Sequence, residues 1–178
     1  MNSILGPAPI IDFDGTLARL DVSWDRVRAE LGVAHIGDLW RSRAPQPWAL
    51  VSRAEERAAR VANVVPEMQT ALTHTDSFAI LSSNGESAVW QFLDRFPDLT
   101  SRVQVVVGRE TLAGPKSDFD VFARGFAACV EATAAARRES SIVYVGDTAY
   151  ELAFARRLGA SAIDIEVLRR GGESDDPD

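Results

Sequence analysis

Apolar and polar positions fall into blocks along this chain, and the blocks switch between two periods. Ala8 to Phe13 is a short apolar run broken only by Asp12, entered through Pro9, and predicts a buried strand. From Ser23 to Leu31 the apolar positions Trp24, Val27 and Leu31 recur at helical spacing. Ser23 is available there as N-cap, and Gly32 lies just past the end. Ile36 to Arg43 predicts a second short helix, ended by Pro45 and Pro47. Trp48 to Val64 predicts a third, with Arg53, Glu55, Glu56, Arg57 and Arg60 on a charged face. Pro66 opens a fourth, Glu67 to Thr73. The plain reading of this stretch is a small helical bundle packed around tryptophans.

From Ser77 the rhythm becomes strand, helix, strand. Phe78 to Ser82, Val103 to Val107, Ile142 to Val145 and Ala162 to Ile165 are β-like runs. Between them, Glu86 to Phe96, Asp118 to Arg138 and Ala149 to Leu158 predict helices. With the first strand this makes five β runs separated mostly by helices. Such alternation predicts an α/β fold whose parallel sheet is covered on both faces. Right-handed crossovers make a doubly wound sheet the economical arrangement.

Composition narrows the class. The chain has 178 residues, 46% hydrophobic and 25% charged, as a globular domain has. Four of its seven net negative charges sit in the last eight residues, as Glu173, Asp175, Asp176 and Asp178, so 171–178 is expected to be a frayed acidic tail. No basic face suits a nucleic-acid backbone. The chain has no long apolar run and no basic N-terminal flank, so neither a membrane span nor a signal peptide is expected, and cytoplasmic residence follows. The single cysteine, Cys129, in an alanine-rich stretch, reads as a small buried hydrophobe. Of nineteen basic side chains one is lysine, Lys116. A compact ammonium cannot be replaced by a planar guanidinium where space is short.

Ligands bind outside the carboxyl ends of the strands in such a sheet, so the residues following each strand carry the chemistry. The first strand leads to Asp12, Asp14, Gly15 and Thr16, and the second to Ser82, Ser83, Asn84 and Gly85. The third leads to Gly108 and then Lys116, and the fourth to Gly146, Asp147, Thr148 and Glu151. Two carboxylates crowded at a strand tip are costly unless a cation lies between them or one is a reagent and the other its acid. Hydroxyls and free N–H groups before a helix hold phosphate oxygens, and Asp147 adds an oxygen ligand for a cation. Each cluster also has a plain alternative. Asp-Gly and Gly-Asp are turn pairs, Ser82 to Gly85 fits an ordinary loop, Lys116 fits a surface, and Thr148-x-x-Glu151 fits a capping box.

Taken together, these residues resemble the haloacid dehalogenase-like superfamily of hydrolases. Asp12-Phe13-Asp14-Gly15-Thr16 is similar to its first motif and Ile80-Leu81-Ser82-Ser83-Asn84 to its second. Lys116 corresponds to the third and Gly146-Asp147-Thr148-Ala149-Tyr150-Glu151 to the fourth. The resemblance covers nearly the whole chain. It implies a Rossmann-like core from 1–17 and 77–178, with a helical cap at 18–76. Two departures stand out: Glu151 replaces the commoner aspartate, and Lys116 precedes Ser117-Asp118-Phe119-Asp120 instead of a proline-rich run.

The resemblance further implies a magnesium-dependent phosphatase of small phosphate monoesters. Asp12 would be the nucleophile, Asp14 the general acid and base, and Lys116 the neutralising cation, while Thr16, Ser83, Asn84 and Lys116 would bind substrate. Asp12, Asp14, Asp147 and Glu151 would hold Mg2+. An acid at position 14 argues against carbon–halogen cleavage. The expected partner is a small phosphorylated metabolite, with no nucleic acid or membrane, for a monomer or homodimer. The alternative is a phosphomutase passing the same aspartyl-phosphate to a sugar. Further from the pattern stand a phospho-accepting signalling domain and a silent binding protein. A calcium loop starting at Asp12 fails because its twelfth position is Ser23. A P-loop fails on the glycine spacing between Gly108 and Lys116. Arg19, Arg41, Arg43 and Arg53 could meet an anionic substrate. His35 and His74 read as structural or exposed, and Trp24, Trp40 and Trp48 as cap core.

Overall fold

The computed structural model describes residues 4–41, 45–134 and 141–171. The acidic tail from 172 onward, Arg43, and the stretch at 135–140 expected to continue the long helix lie outside them. The sheet comprises β1 (Ile10–Ile11), β2 (Phe78–Leu81), β3 (Val103–Val107), β4 (Val143–Gly146) and β5 (Ser161–Asp164). All pair in parallel, in the order β3-β2-β1-β4-β5. The doubly wound, five-stranded α/β fold read from the sequence is therefore present.

β1 is central and shorter than expected. Ile10 lies opposite Ala79 and Tyr144, and Ile11 opposite Ile80 and Val145. Single bonds extend the ladder: Ala79 N–H donates to Pro9 O and Asp12 N–H to Val145 O. Beyond Asp12 the backbone turns back on itself, with Ala18 N–H bonding Phe13 O at 2.9 Å and Gly15 at φ +89°. That turn removes Phe13 from the strand.

Strand alternation splits the core into two faces. Ile11, Phe78 and Ile80 pack with Phe13, Met68, Leu72 and Phe92 on one side. Ile10, Ala79 and Leu81 pack with Phe122, Phe126, Cys129 and Tyr144 on the other. Each large side chain so buried contributes about 1.5–3 kcal/mol, which favours this register over a one-residue slip.

Between β1 and β2 run α1 (Trp24–Leu31), a 3-10 turn (Ile36–Arg41), α2 (Pro45–Ala59), α3 (Pro66–Ala71) and a second 3-10 turn (Leu72–His74). They divide between two clusters. Val27, Leu39, Val51 and Ala54 form a small core of their own, whereas Val65, Met68 and Leu72 join the sheet's core. The outgoing and returning chains meet where Ala18 bridges Val64 and Val65 N–H bonds Leu17 O.

Several boundaries differ from expectation. Pro45 begins α2 instead of ending the helix before it, because first-turn N–H groups have no intrahelical partner to lose. α2 stops at Ala59, since Val64 is taken by the bridge to Ala18. Arg53 and Arg57 of its charged face are exposed. Glu55 is buried, and Glu56 accepts from the Ser87 hydroxyl while Arg60, just past the helix, donates to Gln91, so these two residues lie against α4 (Glu86–Leu93). Ser23 precedes α1 without a side-chain cap bond, whereas Gly32 does end it in the left-handed conformation. Asp118 caps α7 (Phe119–Ala132), accepting from Asp120 and Val121 N–H.

α5 (Pro97–Thr100) and α6 (Arg109–Leu112) were not expected, being too short to show a period. After α8 (Ala149–Arg157) and β5, the chain adds α9 (Ile165–Gly171), where only a strand end was expected. Among the described residues no helix is long and apolar enough to cross a membrane.

Candidate active site

The four polar clusters meet. At the carboxyl edge of the sheet, under α1, the 3-10 turn and α2, lies a cavity of about 370 Å³. Asp12, Asp14, Ser83, Asn84, Lys116, Asp147 and Glu151 line its core side, and Trp24, Ile36, Trp40, Trp48 and Glu55 its helical side.

Lys116 is the hub. Its side chain has no exposed surface. Nζ lies 2.5 Å from Asp12 Oδ1 and 3.0 Å from Glu151 Oε2, and donates to Leu81 O at 2.8 Å. Three acceptors saturate an ammonium's three protons, and they come from the residue just after β1, from the end of β2 and from α8. Burial would lower the lysine's pKa, but Asp12 and Glu151 more than offset it, so the ammonium is held above its usual range. The lone lysine of an arginine-rich chain thus occupies the position where size matters most.

Asp12 feels the opposite pull. Burial pushes its carboxyl up to about 7; Lys116 counters this, while Glu151 and Asp147 add to it. Oδ1 is committed to Lys116. Oδ2 receives only the Thr16 hydroxyl at 3.4 Å, which leaves it the freer oxygen. Thr16 itself is fully buried and does not line the cavity. The turn at Gly15 points the Thr16 hydroxyl inward, onto Asp12, whereas the expectation was a place on the substrate.

Glu151 is not a capping-box residue. The first turn of α8 directs it down into the core, where it accepts from the Tyr144 hydroxyl at 2.6 Å and the Tyr150 hydroxyl at 3.1 Å besides pairing with Lys116. Thr148 makes no side-chain cap bond. Through Oε2, Glu151 holds Lys116 in place while lining the same cavity as Asp12 and Asp147. Burial foremost, then Glu151 and Asp12, pushes the Tyr144 hydroxyl well above its usual range, so it remains a donor.

Asp14 is half-buried and accepts from Leu20 N–H at 2.8 Å, which aims it from the start of the insertion. Its pKa is raised, by burial first and by Asp147 and Glu55 after the Leu20 bond is counted. Asp147 is raised too, by burial and then Glu151. Gly15 is dictated by both conformation and space: at its positive φ, a Cβ would stand 2.1 Å from Asp147 Oδ2.

The loop after β2 is built by its own side chains. Ser82 Oγ donates to Asn84 Oδ1 and accepts from Asn84 N–H, leaving Ser83 exposed on the cavity. Asn84 Nδ2 and Gly85 N–H both donate to Glu55, at 3.2 and 3.0 Å. Arg109, first residue of α6, grips the same carboxylate with two nitrogens at 2.9 Å each. It also donates to Ser52 Oγ, and its guanidinium stacks on Trp48 at 4.8 Å. Glu55 and Arg109 were not among the expected residues. Glu55 is hidden within a run of charges, whereas Arg109, directly after β3 at the ligand-binding edge, carried a readable signal.

Of the other side chains, His35 and His74 are exposed and away from the cavity, as expected. Arg19 and Arg53 line other clefts, and Arg41 pairs with Asp38. The three tryptophans do more than fill the cap: Trp24 and Trp48 pack on its core, and all three also wall the cavity.

Asp12, Asp14 and Asp147 present hard carboxylate oxygens to one cavity, and Asp147 raises the pKa of both Asp12 and Asp14, a repulsion that a divalent cation would relieve. The donor chemistry fits magnesium. Among the described residues, however, no three acidic, histidine or cysteine side chains are already gathered into a metal-holding cluster.

No protein-family model and no curated protein sequence matches the chain. Solved structures do. A haloacid dehalogenase superfamily hydrolase from Ehrlichia chaffeensis aligns at TM-score 0.54 and 15% identity, over 92% of this chain and 87% of that one. A candidate phosphoglycolate phosphatase from Lactobacillus plantarum aligns at TM-score 0.59 and 14% identity, over 100% and 93%. The L-2-haloacid dehalogenase of Xanthobacter autotrophicus aligns at 0.52 and 16%, over 91% and 76%. The fold is that of the haloacid dehalogenase-like hydrolases, as the motifs implied.

Proposed function

We propose that the protein is a magnesium-dependent phosphatase that hydrolyses a small phosphate monoester through an aspartyl-phosphate on Asp12. The observation that carries this reading is the Asp12–Lys116 pair, buried beside Asp14, Ser83 and Asp147 in one cavity. In the first step Asp12 Oδ2 attacks phosphorus, the bond to the leaving oxygen breaks, and Asp14 gives that oxygen its proton. Burial keeps Asp14 more basic than a free aspartate, which suits proton transfer near neutral pH.

In the second step Asp14 takes a proton from water, the water oxygen bonds phosphorus, and the bond to Asp12 breaks. Lys116 holds Asp12 in line and opposes the accumulated charge, while the Ser83 hydroxyl orients the phosphoryl oxygens. Magnesium would be held by Asp12, Asp147 and the Asp14 carbonyl, and would supply charge neutralisation on the transferring group. A protonated acid at position 14 has a use in expelling an alcohol and none in expelling a halide, which favours phosphate esters over haloacids.

The test is a panel of phosphate monoesters assayed for phosphate release with and without magnesium, alongside Asp12→Asn. Metal-dependent release by the wild type, lost in a folded Asp12→Asn protein, is expected. Unchanged rates in that variant would remove Asp12 as nucleophile.

A further inference from the structure

The helical side of the cavity has a chemistry of its own. Trp24, Ile36, Gly37, Trp40 and Trp48 offer it aromatic and aliphatic surface, and among the described residues Glu55 is the only ionised group they bring. Among the described residues, the two cations lining the cavity are already paired. Lys116 faces Asp12 and Glu151, and Arg109 is doubly paired with Glu55 and stacked on Trp48. A second negative charge on a substrate would therefore meet Asp14, Asp147 and Glu55 with no unpaired cation among the described residues to balance it. A sugar's hydroxyls would find few hydrogen-bonding partners on that wall beyond indole N–H groups. An ammonium would gain little from Glu55, whose oxygens already accept from Arg109, Asn84 and Gly85.

Flat apolar surface remains. Trp40 and Trp48 lie with ring centroids 4.7 Å apart at 52°, both half-buried, and the partly exposed Tyr150 lines the opposite wall. Resting on the phosphatase reading, we infer that the leaving alcohol carries an uncharged aromatic ring, packed against Trp40 and its neighbours, and that a carboxylate-bearing substrate such as phosphoglycolate is disfavoured. Aromatic rings gain geometry-specific attraction beyond their buried area, so the wall selects as well as shields.

The experiment separates binding from turnover. Benzyl phosphate, 2-phosphoglycolate, glucose 6-phosphate and phosphocholine all release alcohols from a saturated carbon, so leaving-group reactivity confounds little. Their binding to Asp12→Asn protein is read by tryptophan fluorescence, and their hydrolysis by the wild type through phosphate release. Benzyl phosphate is expected to bind about tenfold more tightly than the other three, one good aromatic contact's worth. Trp40→Leu should erase that preference and Trp40→Phe retain it. Trp40 suits this test because it lies outside the small core formed by Val27, Leu39, Val51 and Ala54.

Gly37→Lys would add a cation at a site where a side chain meets nothing within 4 Å. It should shift preference toward phosphoglycolate. Equal or tighter binding of any of the other three to the Asp12→Asn protein, or no binding of benzyl phosphate, overturns the inference. Wild-type turnover with phosphoglycolate preferred would overturn it while sparing the phosphatase reading. Benzyl phosphate bound selectively but never hydrolysed would overturn the phosphatase reading and with it the ring's role in a leaving alcohol, whereas the binding comparison alone tests the aromatic preference of the wall.

Discussion

Glu55 and Arg109 stand 54 residues apart in sequence and face each other through two contacts of 2.9 Å, with 3% and 5% of their side chains exposed. One belongs to the inserted helices and the other to the turn after an outer strand of the sheet. Their pairing fixes the roof of the cavity to its floor, and the same carboxylate tethers the Ser83 loop through Asn84 and Gly85. A group that joins three segments in this way organises the site without touching the reacting atoms.

Removing one partner leaves a buried, uncompensated charge. Glu55→Ala is expected to cost about 3–5 kcal/mol of stability, and Arg109→Ala a similar amount. The double variant should lose clearly less than the sum, since neither charge is then stranded. Urea unfolding of the four proteins checks this; simple additivity would mean that the pair is not coupled.

Lys116→Arg preserves charge and should still fail. The ammonium fills a space with no exposure and three acceptors arranged around a point, which a planar guanidinium cannot occupy. A fall of about 10²-fold or more in kcat/KM is expected, comparable to losing a preorganised electrostatic group. Steady-state kinetics with a circular-dichroism control for folding decides it, and near-normal kinetics would show that the position tolerates a spread charge.

Gly15→Ala combines two insults. The left-handed backbone costs a non-glycine residue about 1–2 kcal/mol. The new methyl would also stand 2.1 Å from Asp147 Oδ2 and force that carboxylate away. Turnover should fall more steeply than the modest drop in melting temperature suggests. A variant that loses stability but keeps its rate would separate Asp147's position from catalysis.

Cys129 is fully buried and its thiol is pushed up to about 12 by burial, with Lys116 opposing. The folded state thus favours the neutral thiol relative to the ordinary value of 9.0. That contribution to stability is fully present below pH 9 and is lost as pH rises toward 12. At pH 8 an alkylating reagent should react no faster than the protein opens, and the rate should rise with urea. Fast labelling of the native protein would mean that the α7 face of the sheet is more accessible than its packing indicates.

The strand–helix rhythm and the residues following each strand were readable because both are local. Period two and period 3.6 are written into consecutive positions, and topology then carries Asp12, Ser83, Lys116 and Asp147 to one edge. The roles of Thr16 and Glu151 were read from a motif resemblance, and a motif does not say which way a turn aims a side chain. Thr16 ends inside, on Asp12, and Glu151 turns to Lys116 and two tyrosines instead of its own helix end. The four-residue helices α5 and α6 escaped notice because one turn carries no period.

By itself the sequence determined a parallel sheet and the polar clusters at its edge, because hydrophobic alternation and glycine-bearing turns act over a few residues. Tertiary structure alone decided which charges neutralise one another. Glu55 looks like one more solvated acid on a helix face until α2 is laid against α4 and Arg109 closes on it, since Coulomb attraction and desolvation depend on distances through space that the chain order does not record.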